Sequence, residues 1–238
     1  MLRYLNQQPS PCAMTHILII NFNNNPNIGL YAFATDDYCL VGNEVPSKDV
    51  ENISKVLGVP VHRVTICGTS LIGVFCAGNS KKLLVPGIVF DTEKEKLHSL
   101  GIDFEVIETK MTALGNNMVC SDSGIIVSPE FEKDAVEQIK KAMGLPTIVS
   151  KIADLDIVGS LAKLNSKGFC LAHQDIEPFE KKLIEKQLGV ICTEGTVNMG
   201  SPYVSSGILT NKNGFVIGSM SGGPEIDNAD KALGFLQE

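Results

Sequence analysis

The sequence predicts an α/β fold in which five ββαβ blades form a ring with pseudo-five-fold symmetry. The first observation behind this prediction is a dipeptide, a bulky apolar residue followed by glycine, that recurs at intervals of 43, 43, 45 and 45 residues. The five copies are Leu57-Gly58, Leu100-Gly101, Met143-Gly144, Leu188-Gly189 and Leu233-Gly234. The second is a pair of short apolar runs before each dipeptide, and the third is an extended run after four of them. A unit this small cannot bury its own apolar face, so the units must pack on one another.

Each dipeptide ends a segment whose apolar residues have helical spacing. Glycine accepts the left-handed backbone just past the last turn, and the apolar residue after it packs back on the helix. Helix start signals precede all five segments. They are Ser47, the pair Thr92 and Glu95 as a capping box, Ser128-Pro129, Asp175, and Pro224-Glu225. In the fourth unit, the expected apolar stripe begins at Phe179.

The paired apolar runs are split by polar turn residues, which predicts two strands before each helix. The first pair is expected at 30–34 and 39–41, around Asp36-Asp37, and the second at 73–77 and 83–85, around Asn79-Ser80. Residues 122–124, 165–168 and 211–214 divide the later pairs. The run after the glycine, for example 103–107 or 190–193, supplies a third strand.

The two ends of the sequence indicate how the ring closes. Only 4 residues follow Gly234, too few for a strand, whereas residues 16–21 form an extended run with no helix before it. We expect this first strand to complete the last blade, which would close the ring and remove open sheet edges. Residues 14–238 are then a single closed domain, and residues 1–13 are a disordered extension or a mis-assigned start. A WD-type propeller would have four strands and no helix per blade, and an α-solenoid would lack the strands.

Composition restricts the partners of such a ring. The 238 residues are 44% apolar, which is ample for a core, and the longest apolar stretches have the length of strands, too short to cross a bilayer. The net charge is −7 and the arginines are Arg3 and Arg63, so nucleic acid is not expected as the main partner. A basic protein surface fits better. Seven cysteines, an odd number without paired spacing, indicate a reducing cytosol.

The sequence offers one enzymatic candidate, His173-Gln174-Asp175. The five-bladed architecture resembles the pentein superfamily, whose guanidine-modifying enzymes use a histidine in a similar context. That resemblance implies a cysteine nucleophile in the fifth blade, and this chain has no cysteine after Cys192. We therefore interpret His173 as the end of a strand and Asp175 as a helix cap, with an arginine deiminase-like enzyme as the alternative. GxGxxG, P-loop, CxxC and HExxH motifs are absent from the sequence, and we expect neither cofactor nor metal.

A second set of glycines recurs at the predicted strand starts, where small residues would let five strands converge near the axis. The set is Ile28-Gly29, Ile72-Gly73, Leu114-Gly115-Asn116, Val158-Gly159-Ser160 and Met199-Gly200-Ser201. The polar residues Asn116, Ser160 and Ser201 either satisfy one another at the crowded centre or present a polar ring to a partner.

Several motifs together resemble one family, translation initiation factor six of archaea and eukaryotes. They are the sequence from Thr112 to Asn116, Leu83-Leu84-Val85-Pro86, Val158-Gly159-Ser160, the turn at 165–168 with His173, the sequence from Gly195 to Gly200, and the archaeal-like segment from Ser221 to Glu225. The match runs in order from about Ile17 to Leu236. It implies a monomeric, non-catalytic, cytoplasmic pentein ring that binds the large ribosomal subunit and blocks joining of the small subunit. The implied partners are mainly ribosomal proteins near the sarcin–ricin loop, with limited RNA contact.

The resemblance does not identify the docking face, so the contact residues are a separate prediction. We expect the end of the ring with the strand-start glycines to dock, together with part of the C-terminal segment. The predicted ribosome-contact residues are Asn27, Asn116, Ser160, Ser201, Asn228, Lys231 and Phe235. The competing interpretation is that these residues are axial packing groups and helix surface. Val74 and Phe75 follow Gly73 where eukaryotic relatives carry a basic residue, so a contact that depends on that charge is not expected here.

Overall fold

A computed structural model describes residues 16–236, which form five three-stranded sheets, each combined with one long helix. Blade 1 contains β2 (Ala32–Ala34), β3 (Cys39–Gly42), α1 (Ser47–Leu57) and β4 (Val61–Val64). Blade 2 contains β5 (Ala77–Gly78), β6 (Leu83–Pro86), α3 (Asp91–Ser99) and β7 (Phe104–Ile107). Blade 3 contains β8 (Met118–Cys120), β9 (Ile125–Val127), α5 (Lys133–Met143) and β10 (Thr147–Val149). Blade 4 contains β11 (Ala162–Asn165), β12 (Phe169–His173), α7 (Pro178–Leu188) and β13 (Ile191–Gly195). Blade 5 contains β14 (Ile208–Thr210), β15 (Phe215–Gly218), α9 (Gly223–Ala232) and β1 (Ile17–Ile20).

All blades share one strand pattern. The first two strands form an antiparallel hairpin, and a third strand pairs in parallel with the second. In blades 1 to 4 the helix crosses over to this third strand, whereas in blade 5 the third strand is β1. In blade 4, for example, Cys170 pairs with Leu164 on one side and with Cys192 on the other. The predicted ββαβ unit is confirmed in all five blades.

The N-terminal strand completes the last blade, as predicted from the chain ends. β1 pairs in parallel with β15, with Ile17 opposite Phe215 and Ile20 opposite Gly218. Both ends of the pairing are hydrogen-bonded, from Phe215 N to His16 O at 2.8 Å and from Ser219 N to Ile20 O at 2.7 Å. The expected extension at residues 1–13 lies outside the described residues.

The predicted helix ends are confirmed, whereas several predicted starts are wrong. Each of the five repeat glycines, Gly58, Gly101, Gly144, Gly189 and Gly234, has a left-handed φ between 64° and 71°. Two starts shift by a few residues: α5 begins at Lys133, after an N-cap at Glu132, instead of at Ser128-Pro129, and α7 is capped by Glu177, instead of Asp175. In α3 the carboxylate that bonds back to the cap is Glu93, not Glu95. Local cap signals are redundant in these loops, and the packing of each helix on its sheet selects among them.

The segments expected as strands at the second set of glycines begin instead as short helices. These axial helices are a 3₁₀ turn at Ile28–Leu30 and the single turns α2 (Ile72–Phe75), α4 (Leu114–Asn117), α6 (Val158–Leu161) and α8 (Val204–Gly207). Each axial helix contacts the next, and the last contacts the first. The predicted convergence near the axis is therefore correct, although the converging elements are helical turns.

Glycine is required in the axial helices because their backbones touch. A Cβ on Gly73 would overlap the carbonyl oxygen of Gly29, and one on Gly115 would overlap the carbonyl oxygen of Gly73. The same relation joins Gly159 to Gly115 and Gly29 to Ser205. Ser205 thus occupies the fifth equivalent position. The prediction that Gly200 occupies this position was wrong, because Gly200 lies in a turn with a φ of 90° and open space around it.

The core is divided among the blades, each with a buried cluster between its sheet and helix. The cluster of blade 5 includes the fully buried Phe215 and Ile217 and is completed by Ile17 of β1. None of the helices between residues 16 and 236 has the length and apolar character needed to cross a membrane.

Candidate functional site

The ring has two different ends. The turn face is the end that carries the N-termini of the long helices, the turns between blades and the axial helices. The hairpin face is the opposite end, where the hairpin loops meet helix C-termini; for example, Asn211 Nδ2 donates to Leu57 O at 2.8 Å and Asn165 Nδ2 donates to Leu233 O at 2.9 Å. Because the helices run from one face to the other, the two sets of loops present separate surfaces.

On the turn face, a glutamate from a helix N-terminus holds the turn that precedes its blade. The side chain of Glu93 accepts hydrogen bonds from the backbone N–H groups of Cys67 at 2.8 Å and Gly68 at 2.9 Å. Cys67 has a positive φ of 55°, which exposes consecutive N–H groups to the carboxylate. The buried glutamate therefore fixes the shape of the turn.

Glu225 repeats this arrangement in blade 5. Its carboxylate accepts hydrogen bonds from Gly200 N and Gly222 N, each at 2.9 Å, from Met199 N at 3.1 Å and from the Thr196 hydroxyl at 2.9 Å. Burial by itself would raise the pKa of Glu225, but these donors stabilise the charged form and hold the pKa below its usual value. The loop that carries Met199 is thus anchored to α9.

Large apolar side chains are concentrated on the turn face. Of the 11 large apolar side chains that are exposed in residues 16–236, seven lie there: Ile88, Phe90, Ile157, Phe179, Met199, Tyr203 and Met220. Met199 is 76% exposed and Phe179 is 69% exposed. The expectation that Phe179 belongs to the buried stripe of its helix was therefore wrong. We call these seven residues the apolar set; a group of exposed apolar residues on one side of a protein marks an interaction surface.

Sequence reasoning missed the apolar set because six of its seven members lie in turns or directly before helices, outside the periodic segments, and Phe179 is the member that lies within a helix. A usable signal was their position, since Phe90, Ile157 and Tyr203 are N-cap residues of their helices. An apolar residue is unfavourable at an N-cap, which Ser, Thr, Asp and Asn prefer. Leu71 and Ala113 hold the same position before the other single-turn axial helices, so the informative case is Phe90, which caps a long helix.

Exposed carboxylates also lie on the turn face. The side chains of Asp91, Asp154 and Asp175 are 90%, 98% and 72% exposed, and all three lie at helix N-termini or interblade turns. Asp91 and Asp154 each have a lysine three residues away, at 2.9 Å and 3.7 Å. The turn face thus combines apolar and acidic groups.

Four of the seven predicted contact residues lie on the turn face. Asn27 precedes the first axial helix, and its side-chain oxygen accepts hydrogen bonds from Asn198 Nδ2 at 3.3 Å and from the Ser206 hydroxyl at 3.4 Å. Asn116 and Ser160 occupy the same position in two axial helices, directly after the axial glycine. Ser201 lies in the preceding turn, paired with Val197, and the residue equivalent to Asn116 in blade 5 is Ser206.

The other three predicted residues are not part of the same surface. Asn228 donates to Glu194 O at 3.0 Å from the middle of α9, and Lys231 forms an ion pair with Asp227 at 3.0 Å farther along that helix. Phe235 lies beyond the helix and stacks on His16, with ring centroids 5.3 Å apart. Lys167 Nζ lies 4.4 Å from the centroid of the Phe235 ring. Since Lys167 belongs to a hairpin loop, Phe235 lies toward the hairpin face, and the seven residues do not form one patch.

The geometry around His173 does not favour the enzymatic alternative. His173 ends β12 as predicted, is buried, and its Nδ1 accepts a hydrogen bond from Asp175 N at 3.1 Å. That nitrogen is therefore occupied in a local turn. Blade 5, where the resemblance requires the nucleophile, contains no cysteine among its described residues. The described residues also contain no group of three His, Cys, Asp or Glu side chains that could hold a metal ion.

Five ββαβ blades, completed by the N-terminal strand and carrying exposed apolar side chains on one end, define a pentein-type ring. The chain belongs to the eIF-6 family, whose model matches residues 17–232. Translation initiation factor 6 of Pyrococcus abyssi is 37% identical to it, covering 93% of this chain and 100% of that protein. The factor of Haloquadratum walsbyi is 32% identical, covering 93% of this chain and 98% of that protein. The chain is thus placed among translation initiation factors.

Solved structures show a similar fold in an enzyme. The N-terminal domain of ArgZ, an arginine dihydrolase from cyanobacteria, matches with a TM-score of 0.50 at 10% identity, covering 80% of this chain and 72% of that chain. At this identity the likeness concerns the fold alone.

Proposed function

We propose that this protein binds the large ribosomal subunit through its turn face and thereby prevents the small subunit from joining. Membership in the eIF-6 family supports the ribosomal role, and the observation that carries the choice of face is the apolar set. In this proposal the ring acts as a steric block, so it needs affinity and position but no catalytic residue, cofactor or metal.

The chemistry of the turn face supports ribosomal proteins as the main partners. Burial of exposed apolar side chains such as Met199, Phe179 and Phe90 in an interface would stabilise a complex. The exposed carboxylates on the same face suit a basic protein partner. The same carboxylates, with the net charge of −7, oppose extensive contact with RNA phosphates. We infer a cytoplasmic monomer that contacts ribosomal proteins near the sarcin–ricin loop and makes limited RNA contact.

Among the residues predicted from sequence, Asn27, Asn116, Ser160 and Ser201 remain candidates for the polar part of this contact. They lie around the axis, and the apolar set lies at or near the same end of the ring. Asn228, Lys231 and Phe235 are left as weaker candidates because they lie along α9 and beyond its end. A partner on the turn face would have to extend down the side of blade 5 to reach them.

Sedimentation of the purified protein with large subunits tests the proposal. We expect the wild-type protein to co-sediment with large subunits and to reduce monosome formation from isolated subunits. A variant with Met199→Asp and Phe179→Asp should lose both effects. The matched control carries Ile191→Asp and Leu236→Asp, two side chains that are 60% and 43% exposed. Ile191 begins β13 and Leu236 follows the C-terminus of α9, so both lie toward the hairpin face, and this variant should behave as wild type.

Two outcomes would count against the proposal. Wild-type protein that stays at the top of the gradient at all salt concentrations would contradict ribosome binding. Equal co-sedimentation of both double variants would contradict the choice of the turn face.

A further inference from the structure

The axis of the ring contains a bore that opens on the hairpin face. The inner strands enclose a cavity of about 90 Å³, which continues into a cup of about 110 Å³ lined by hairpin loops. Ala34, Gly78, Cys120 and Leu164 line both spaces, so the two are connected. At the other end, the contacts between axial glycines and carbonyl groups close the bore. It is therefore a blind pocket, separate from the apolar set.

Lys163 is the one charged residue among those that line the inner cavity within residues 16–236. It belongs to β11, and the residues at the equivalent position of the other inner strands are Phe33, Ala77, Val119 and Leu209. Burial lowers the pKa of Lys163 to about 8, opposed by the thiol of Cys39 in blade 1. Lys163 is only partly exposed, and the space that it lines is the inner cavity.

Lys163 has no partner for its charge among residues 16–236. The ion pairs of lysine in this part of the chain involve Lys82, Lys94, Lys151, Lys181 and Lys231. Two carboxylates stand at the outer cup, and neither reaches Lys163. Asp36 accepts hydrogen bonds from Lys212 N at 2.9 Å and from the Ser166 hydroxyl, and Asp122 is exposed to solvent.

An ammonium group in an enclosed space is costly unless a counter-charge accompanies it. In this bore the neighbouring side chains are apolar or small, and the carboxylates at the cup are engaged or solvated. The four equivalent residues are apolar, so packing of the inner strands does not require a charge at this position.

We propose that the bore is a binding site for one small anion, either an oxyanion of phosphate or sulfate size or a small carboxylate, held by Lys163 Nζ. The dimensions of the inner cavity admit such an ion and exclude a nucleotide. The anion enters from the hairpin face, which leaves the turn face available, so this site does not depend on the proposed ribosomal contact.

Two measurements on the full chain test the site. The first is the pH titration of the Lys163 ε-carbon by ¹³C NMR, with and without inorganic phosphate, sulfate or acetate at constant ionic strength. The binding anion should raise the pKa of Lys163 by about one unit, because an opposite charge favours the ammonium form. Comparison of the phosphate and sulfate titrations with the acetate titration shows whether the site prefers an oxyanion of phosphate or sulfate size or a small carboxylate.

The second measurement is thermal unfolding of the wild type, Lys163→Met and Lys81→Met in the same solutions. Lys81 is an exposed lysine on the same hairpin face and serves as the matched control. The binding anion should raise the melting temperature of the wild type and of Lys81→Met, and leave Lys163→Met unchanged. An equal rise in all three proteins, or an unchanged Lys163 titration in all three anions, would overturn the site. The titration decides the matter if Lys163→Met does not fold.

Discussion

The axial glycines show how single residues permit the ring to close. In four of the five axial helices the residue is glycine because the neighbouring backbone occupies the space of a side chain, as between Gly73 and Gly115. The φ of Gly115 is not in the left-handed region, so conformational freedom does not explain its presence. Close approach of two backbones does.

Replacement of Gly115 by alanine should therefore destabilise the protein strongly. The added Cβ would overlap the carbonyl oxygens of Gly73 and Cys76, and overpacking against a backbone that cannot move costs on the order of 3 kcal/mol. Gly144→Ala has open space but a φ of 64°, so we expect a loss of about 1 kcal/mol. Gly223→Ala has open space without a positive φ and should be close to neutral. Chemical denaturation of the three variants measures these differences, and similar losses for Gly115 and Gly223 would contradict the explanation.

At the scale of elements, the turn face depends on helix N-termini that hold interblade turns. Glu93 and Glu225 each bridge the first turn of a helix to N–H groups of a turn with positive φ. Such turns leave consecutive donors without partners in the backbone, and a carboxylate satisfies them better than a neutral group. Glu132 in blade 3 uses the same principle with different donors, the Thr109 hydroxyl at 2.7 Å and Lys110 N at 3.3 Å.

Glu225→Gln should lower the free energy of unfolding at pH 7 by about 1 kcal/mol or more, since charge-assisted hydrogen bonds are lost. Because the pKa of Glu225 is lowered in the folded protein, its stabilisation is complete above the pKa of the unfolded chain and is lost as the pH falls through the folded value. The difference between wild type and variant should therefore shrink below about pH 4.5.

The exposed Glu95, which lies on α3, provides the control for this pH dependence, and Glu95→Gln should differ little from the wild type at any pH. Urea denaturation at a series of pH values tests the pair. A difference for Glu225→Gln that does not change between pH 7 and pH 3 would show that the carboxylate charge has no part in holding the turn.

At the scale of the whole molecule, the ring is closed by the pairing of its two ends. β1 covers the edge of β15, and His16 Nε2 forms a 2.8 Å contact with Asp230 Oδ1 at the end of α9. Without β1, blade 5 would lose one of its three strands and Phe215 and Ile217 would lose their cover. The closure makes the first strand part of the last unit of the core.

Deletion of residues 1–22 should therefore abolish cooperative unfolding, whereas deletion of residues 1–13 should leave the melting temperature within a few degrees of the full chain. The first deletion removes every hydrogen bond between β1 and β15, and the second respects the domain boundary proposed at residue 14. Differential scanning calorimetry of both proteins tests this. A sharp transition in the shorter protein would mean that blade 5 is stable without its third strand.

The repeat unit and its closure could be predicted from sequence because they depend on local chemistry. A glycine that ends a helix must be left-handed, and all five repeat glycines are. The polar turns at Asp122-Ser123 and at residues 211–214 separate strands as expected, and a leading strand without a helix indicated how the ring closes. Family motifs such as the segment from Thr112 to Asn116 then identified the family. These features are set by neighbours along the chain.

Only the tertiary structure decided which residues share a surface. Ser205 replaced Gly200 at the axis, Phe179 was exposed instead of buried, and Phe235 lay toward the opposite end from Asn116, although all had suitable sequence patterns. Lys163 had no distinguishing local signal, since only the assembly of five inner strands encloses it. The physical reason is that exposure, and the surface on which a side chain lies, depend on how distant segments pack, whereas turns and helix ends depend on backbone conformation within a few residues.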